Sequence, residues 1–290
     1  MNQRLKKLVL FPMNILYKIN PLLEIKIMFF LKNGYKLNMK KPVTYNEKIQ
    51  WIKFNGFTRE MINCTDKYRV RKYIKECGCE ELLIPLLWEG YDPNLIPFES
   101  LPNQFVIKVT HGSGFNIICQ DKSKLNEAKV KKQLSKWLKE KYLPCYGEWF
   151  YGIVKPRIII EEYLCDRSKK GPNDYKLLCF HGEPKIIQFH MDRFSEHKMK
   201  LYDLEWKELT HCRTKFSYTS ELKVDKPKEL ELLIEYAKKL SKSFHMARVD
   251  FYIINEKIYF GEITFTDGAG FDKIIPYSFD AELGSYMKIP

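Results

Sequence analysis

The chain has 290 residues, 45% hydrophobic and 29% charged, and its 49 Lys and Arg against 36 Asp and Glu leave a formal net charge of +13. That length supports one large or two modest domains, each able to bury a core, and the composition excludes a disordered chain. The positive balance favours an acidic partner (a nucleotide, a polyanionic glycan, a nucleic acid or an anionic membrane surface) without choosing among them.

Residues 1–41 carry nine basic side chains (Arg4, Lys6, Lys7, Lys18, Lys26, Lys32, Lys36, Lys40, Lys41) and a single acid, Glu24. Their apolar clusters are interrupted by Pro12, Pro21, Glu24 and Lys26, so no run approaches the roughly 20 residues that span a bilayer. Two readings stay open here: a helical pair packed on the body, or a basic amphipathic segment lying on an anionic membrane surface. Thr44 and Glu47 are spaced as a capping box, and Ile49, Ile52 and Lys53 continue a helix from it. Residues 66–76 read as another helix. Its basic side (Lys67, Arg69, Arg71, Lys72, Lys75) is either a solvated face or a strip that meets a polyanion. Residues 82–88 read as a short buried strand. Pro85, Pro93, Pro97 and Pro102 mark turns, and a domain transition is expected near residue 100.

Residues 105–119, FVIKVTHGSGFNIIC, read as strand, glycine loop, strand. In His111-Gly112-Ser113-Gly114 the glycines allow backbone N–H groups to approach a phosphate, and Lys108 adds a point charge. No Gly-Lys-Ser/Thr follows, so this is not a Walker A loop, and taken alone it also fits a plain hairpin turn. A long basic amphipathic helix is expected over 122–142, with Ser123 as its cap and Val130, Leu134, Trp137 and Leu138 on one face. Residues 157–164, RIIIEEYL, read as a buried β-branched strand running into two glutamates. A flexible connection follows over 166–173. Strands are expected at 174–181 and 185–191, joined by a tight turn at Gly182-Glu183-Pro184. Arg193, His197 and Lys198 form a polar cluster that suits either phosphate or a plain surface loop, and 202–220 reads as irregular. Residues 227–243 make a helix with Glu229 and Glu231 first and Lys238, Lys239 and Lys242 last, the order the helix dipole prefers.

The last informative stretch, RVDFYIINEKIYFGEITFTDGAG (248–270), alternates as a hairpin with its turn at Asn255-Glu256-Lys257. Asp250 lies on one strand, Glu262 near the end of the other, and Arg248 on the same strand face as Asp250. Two carboxylates beside a cation suit a site for Mg²⁺ and a polyphosphate, because Mg²⁺ takes a few hard oxygens and keeps the rest of its shell for water and phosphate. The bland alternative is a hairpin with polar residues on its wet face. The eight cysteines (64, 77, 79, 119, 145, 165, 179, 212) form no C-x-x-C pair, which argues against zinc. With no cleavable signal peptide evident, they read as reduced cytosolic thiols, mostly small core residues.

Taken in order, these elements resemble the ATP-grasp superfamily, and in detail its TupA-like (teichuronopeptide-biosynthesis) branch. The phrases TYNEKIQW, LPNQFVIKVTHGSGFNII, KPRIIIEEYL, DYKLLCFHGEPKII, RVDFY and KIYFGEITFTDGAGF carry the resemblance over about residues 44–290. It implies an α+β ATP-grasp fold in which two α+β subdomains clasp ATP. Residues 1–100 would be a mostly helical N-terminal region, 101–156 the small lid and 157–290 the large subdomain. It further implies that Lys108 reaches the nucleotide phosphates and that His111, Gly112, Ser113 and Gly114 fold over them. The backbone of Glu161, Glu162, Tyr163 and Leu164 would read adenine. Asp174 would take the ribose hydroxyls, with Lys176 in the same wall. Arg248 would sit by the transferred phosphoryl group, and Asp250, Glu262 and Thr264 would hold Mg²⁺, two ions in all. Thr264 stands where many superfamily members carry Asn, and is read as a branch feature. The first 100 residues do not read as the Rossmann-like domain of the classical ligases.

The chemistry implied is an ATP-dependent, cytoplasmic ligase of cell-surface polysaccharide assembly. It would join a carboxylate, a uronic acid of a glycan precursor, to an amino acid or other amine through an acylphosphate. Residues 1–41 would supply any peripheral membrane contact, and no nucleic acid is expected. An ATP-grasp sugar kinase is the second reading. A glycosyltransferase fits less well, because no DxD motif is present and Asp192, Asp203 and Asp267 stand alone. A non-enzymatic basic glycan-binding protein would leave Lys108, Arg248, Asp250 and Glu262 without a purpose.

Overall fold

The computed structural model describes residues 5, 8–112, 114–164, 173–191, 198–214 and 224–289. The chain starts with a helical pair, α1 (Phe11–Ile19) and α2 (Pro21–Asn33). Asn20 sets the corner between them: its side chain accepts from the Leu23 N–H at 3.0 Å, and Pro21 fits the first helical position. Ile25, Met28 and Phe29 of α2 are buried against Leu37, Ala269 and Phe271, so the pair is fastened to the body through one face.

Helix α3 (Tyr45–Asn55) opens on the capping box read from the sequence. Thr44 Oγ1 accepts from the Glu47 N–H at 3.2 Å and Glu47 Oε2 from the Thr44 N–H at 3.1 Å. This helix is almost wholly buried, and its polar side chains hold distant chain: Gln50 Nε2 donates to the carbonyls of Ala269 and Gly270. Two short helices follow, α4 (Arg59–Cys64) and α5 (Val70–Glu76). The helix expected from residue 66 thus starts at Val70. Asp66 instead accepts from the N–H groups of Tyr68 and Arg69, turning the chain before the helix begins.

The first sheet contains β1 (Leu86–Gly90), β2 (Phe105–Val109), β3 (Asn116–Cys119) and β4 (Ile158–Glu162), all antiparallel in the order β1-β4-β2-β3. It draws strands from both sides of residue 100 and of residue 156. The strand expected at 82–88 begins only at Leu86, because Glu80–Leu82 form a 3-10 turn and Pro85 stands before the strand. Helix α6 (Glu127–Trp137) covers this sheet with Val130 and Leu134. It is shorter than expected. Asn126, not Ser123, is its cap, accepting from the Lys129 N–H at 2.9 Å, while Asp121 ties residues 122–124 into a separate turn.

The second sheet runs β7-β6-β5-β8-β9, with β5 (Asp174–Phe180), β6 (Glu183–Met191), β7 (Lys198–Tyr202), β8 (Met246–Ile254) and β9 (Lys257–Thr264), again antiparallel. Helix α7 (Leu230–Ser241) packs behind it through Leu233, Ala237 and Leu240, and α8 (Tyr277–Tyr286) closes the chain against α3. Both tight turns differ by a residue from the expectation. His181 and Gly182 (φ 50° and 82°) make the first, so Glu183 and Pro184 belong to β6. Asn255 and Glu256 (φ 51° and 61°) make the second. Two left-handed residues are what a two-residue hairpin loop needs to match the strand twist. The connection expected at 166–173 falls outside the described residues except for Asn173, and so do Arg193, His197 and 215–220.

Cysteines 64, 79, 119, 145, 179 and 212 are buried. No described helix is long and apolar enough to cross a membrane.

Candidate active site

The 248–264 hairpin is a paired ladder with one irregularity. Arg248 lies opposite Thr264 and Asp250 opposite Glu262, but Phe251 pairs with Phe260, so Gly261 is an extra residue on β9. This bulge explains why Phe260 and Ile263 are both buried although they break the period of two. It also sets Glu262 directly across from Asp250. A side chain at 261 would put its Cβ 3.0 Å from the Asp250 carbonyl oxygen and 3.2 Å from the Tyr252 ring, tighter than ordinary contact.

Asp250 is not on a wet face. It is 1% exposed, and its neighbour across β5 is Lys176, whose ammonium forms a buried ion pair with Asp250 Oδ2. Arg248 Nε donates to Asp250 Oδ1 at 2.8 Å and Nη2 to Oδ2 at 2.9 Å. The same Nη2 reaches Glu262 Oε1 at 3.1 Å and Thr264 Oγ1 at 3.2 Å, and Nη1 is paired with Asp267. Burial works to raise the Asp250 pKa, but Arg248 and then Lys176 outweigh it and hold the carboxyl below the usual aspartate range. Burial likewise opposes the Arg248 charge, and Asp250 and Asp267 more than restore it.

The first sheet contributes a second charge cluster. Lys108 Nζ donates to Glu161 Oε2 at 2.7 Å, and Arg71 Nη1 to Glu161 Oε1 at 3.1 Å. Glu161, singled out for its backbone, therefore places its carboxylate between two cations. Beyond it, the Glu162 N–H donates to the Pro85 carbonyl at 3.1 Å, and Tyr163 Oη accepts from Gln120 Nε2 at 2.9 Å.

The glycine loop joins β2 to β3. Gly112 and Gly114 adopt φ of 70° and 81°, which a β-carbon disfavours, and Ser113 lies outside the described residues. Lys67 Nζ donates to the Gly112 carbonyl at 2.9 Å and fastens the loop to the turn before α5. His111 is turned away from the loop tip: its ring is buried, with Nε2 2.9 Å from the Glu140 carbonyl oxygen. Burial lowers its pKa, so the ring is neutral at pH 7, donates through Nε2 and keeps Nδ1 as an acceptor.

Between the sheets lies a cleft of two chambers. The first is lined by Arg71, Lys108, Gly114, Glu161, Asp250, Tyr252 and Phe260. The second, about 500 Å³, is lined by His111, Gly112, Tyr142, Tyr146, Glu148, Tyr151, Arg248, Thr264 and Thr266. Lys67, Val70, Phe115, Gly261 and Glu262 belong to both walls. The cleft thus brings together Lys108, His111, Gly112, Gly114, Glu161, Arg248, Asp250, Glu262 and Thr264. Lys176 lies beneath Asp250 and Asp174 is fully buried on the same strand, while Glu162, Tyr163 and Leu164 line neither chamber.

Of the basic side chains at 67–75 that the sequence left open as a solvated face or a strip for a polyanion, Lys67 and Arg71 line the cleft, and the Asp267 carboxylate that pairs with Arg248 was not foreseen. Lys67, in the turn before α5, and Arg71, in its first turn, flank the buried Val70, and their place in the basic run was the available signal. Asp267 carried none. Its partners Arg248 and Gln188, the latter donating at 3.0 Å, come from other strands.

No cluster of three or more His, Cys, Asp or Glu suited to a metal occurs among the described residues. Mg²⁺ needs fewer: one or two carboxylates with phosphate and water completing its shell. Asp250 and Glu262 face each other across the ladder with the Thr264 hydroxyl beside them, and the Glu262 side chain is 42% exposed. In residue type this hard-oxygen set fits Mg²⁺, with Glu262 its accessible carboxylate and the Asp250 oxygens held by Arg248 and Lys176.

Two antiparallel sheets close on a cleft whose walls each set cations beside carboxylates, Lys108 and Arg71 with Glu161 on one and Arg248 with Asp250 and Glu262 on the other, a clasp for a charged ligand. The family model described as TupA-like ATPgrasp matches residues 47–288, and the chain belongs to that family. Its fold is the α+β ATP-grasp fold that the sequence resemblance implied. Solved structures similar to it include a D-alanine–D-alanine ligase from Helicobacter pylori, at 15% identity and TM-score 0.45, covering 84% of this chain and 69% of that one. An L-amino acid ligase from Bacillus licheniformis has 14% identity and TM-score 0.48, with coverage of 88% and 57%. A D-alanine–D-alanine ligase from Bacillus anthracis complexed with ATP has 16% identity and TM-score 0.44, with coverage of 78% and 67%. No curated protein matches the chain.

Proposed function

We propose that this protein is an ATP-dependent carboxylate–amine ligase of cell-surface polysaccharide assembly. A uronic acid carboxylate of a glycan precursor would attack the γ-phosphate and release ADP. The amine of an amino acid, or another amine, would then displace phosphate from the acylphosphate and leave an amide. The observation that carries this reading is the meeting of two chambers at Lys67 and Glu262. One has the charge pattern of a triphosphate site. The other has room for an acceptor directly beside it.

In this reading Lys108, steered by Glu161, and Lys67 neutralise phosphate charge in the first chamber. Arg248 faces the transferred phosphoryl group from the second, pre-oriented by Asp250 and Asp267 so that little reorganisation is needed. Asp250, Glu262 and Thr264 would hold Mg²⁺, which supplies further charge neutralisation across the phosphate oxygens. The loop at 111–114, tied down by Lys67, would keep water from the acylphosphate.

The test is phosphate release from ATP and Mg²⁺ against a panel of uronic acids, with and without amino acids. Release that needs both carboxylate and amine is expected. ATP consumed with a sugar alone, leaving a phosphate ester, would replace the ligase by a kinase. Glu262→Gln should lower Mg-dependent turnover by about 100-fold or more, roughly 2.7 kcal/mol of transition-state stabilisation, with the melting temperature unchanged. Near-wild-type turnover would discard the metal assignment.

A further inference from the structure

Helices α1 and α2 precede residue 47, where the family match begins. Helix α1 has no buried residue. Phe11, Ile15 and Ile19 form an i, i+4 stripe along it and are exposed, Ile19 by 76%, and Leu8 just ahead of the helix is exposed by 72%. Leu22, Leu23, Phe30 and Leu31 continue the apolar surface onto α2. A monomer rarely leaves so many large apolar side chains together in water.

The charges around this surface identify its occupant. Lys18, Lys26 and Lys32 are exposed among the apolar side chains. Residues 1–41 carry nine basic groups against one acid. That acid, Glu24, is fully buried on the opposite face of α2, so no exposed acid of this segment offsets its lysines. A protein–protein interface core is depleted in lysine, whereas an anionic lipid surface takes apolar side chains into its acyl boundary and pairs lysines with its headgroups.

We propose that the α1–α2 hairpin docks this protein on an anionic membrane surface. Its inner face is rigidly joined to the cleft: Ile25, Met28 and Phe29 pack against Ala269 and Tyr146, which also line the second chamber. Asn14 Oδ1 of α1 accepts from the Cys145 N–H at 3.0 Å, one residue before Tyr146. Docking therefore fixes the orientation of the second chamber relative to the lipid. A lipid-anchored acceptor would be met there, a corollary that rests on the ligase reading, whereas the docking itself does not.

The experiment is flotation of the full chain with vesicles rich in phosphatidylglycerol and with neutral phosphatidylcholine vesicles, alongside sedimentation equilibrium without lipid. Binding to the anionic vesicles, reduced by high salt, is expected. Phe11→Asp with Ile19→Asp should weaken it by at least about tenfold. Lys18→Glu, Lys26→Glu and Lys32→Glu together should weaken it by about a hundredfold or more. All five positions are exposed, so melting temperature and nucleotide binding should be unchanged. Binding that survives both sets of substitutions overturns the proposal. So does a dimer that these substitutions dissociate in a protein that ignores vesicles, which would make a second copy the occupant. Absence of ATP turnover alongside lipid binding would sink only the ligase reading.

Discussion

Glu24→Gln should stabilise this protein, and by an amount that depends on pH. Glu24 lies on α2, is fully buried, and neither carboxylate oxygen has a hydrogen-bond partner among the described residues. Burial pushes its pKa from the ordinary 4.5 up to about 8, and Lys53 pulls it back only in part. The Lys53 ammonium is spent elsewhere, on Gln50 Oε1 at 3.0 Å, the Tyr146 carbonyl at 2.7 Å and the Ala269 carbonyl at 2.5 Å. Between pH 4.5 and 8 the folded chain therefore holds a proton that the unfolded chain has released, and stability falls as pH rises through that window. At pH 7 the gap corresponds to about 3.4 kcal/mol at 1.36 kcal/mol per pH unit, and to about 2 kcal/mol after allowance for solvent screening. Glutamine has the same shape and cannot ionise. The variant should match wild type at pH 4.5 and exceed it by about 2 kcal/mol at pH 7, a rise of about 4–6 °C in melting temperature. Urea melts at half-unit steps from pH 4.5 to 8 measure this directly. A difference that stays constant with pH, or shrinks as pH rises, would refute a buried, neutral Glu24.

Two further substitutions probe the cleft. Asp250→Asn leaves the Lys176 ammonium buried beside a neutral amide and should destabilise the fold by about 3–5 kcal/mol, with Lys176→Met in the same background recovering much of the loss. Strict additivity in that double-mutant cycle would mean the pair is not coupled. Because the folded Asp250 pKa is depressed, its contribution is full at neutral pH and is lost as pH falls through the aspartate range, so the variant should also be less sensitive to acid. Glu161→Gln removes the charge that orients Lys108 and Arg71 and should weaken ATP binding by about tenfold, 1.4 kcal/mol, in calorimetry. Unchanged affinity would separate Lys108 from the phosphates.

The sequence alone determined the local elements and the family. Thr44 and Glu47 marked a helix start, alternation marked the hairpin within 248–270, and apolar runs on either side of a glycine loop marked the strands of 105–119. These signals lie within a few residues of one another, where steric preference and hydrogen-bond geometry act without help from distant chain. Element edges were legible less well, since Asp66 and Asp121 each diverted a few residues into a turn ahead of a helix. What the tertiary structure decided is which charges meet. Lys176 and Asp250 are 74 residues apart in sequence, Lys108 and Glu161 are 53 apart, and Arg71 and Glu161 are 90 apart. Periodicity assigns each of these residues a face but names no neighbour. The register of β5 on β8 supplies it for Lys176 and Asp250, the pairing of β2 with β4 for Lys108 and Glu161, and the packing of α5 for Arg71. Once such groups leave water, the high energy of an unpaired buried charge permits only the arrangement in which each finds its partner.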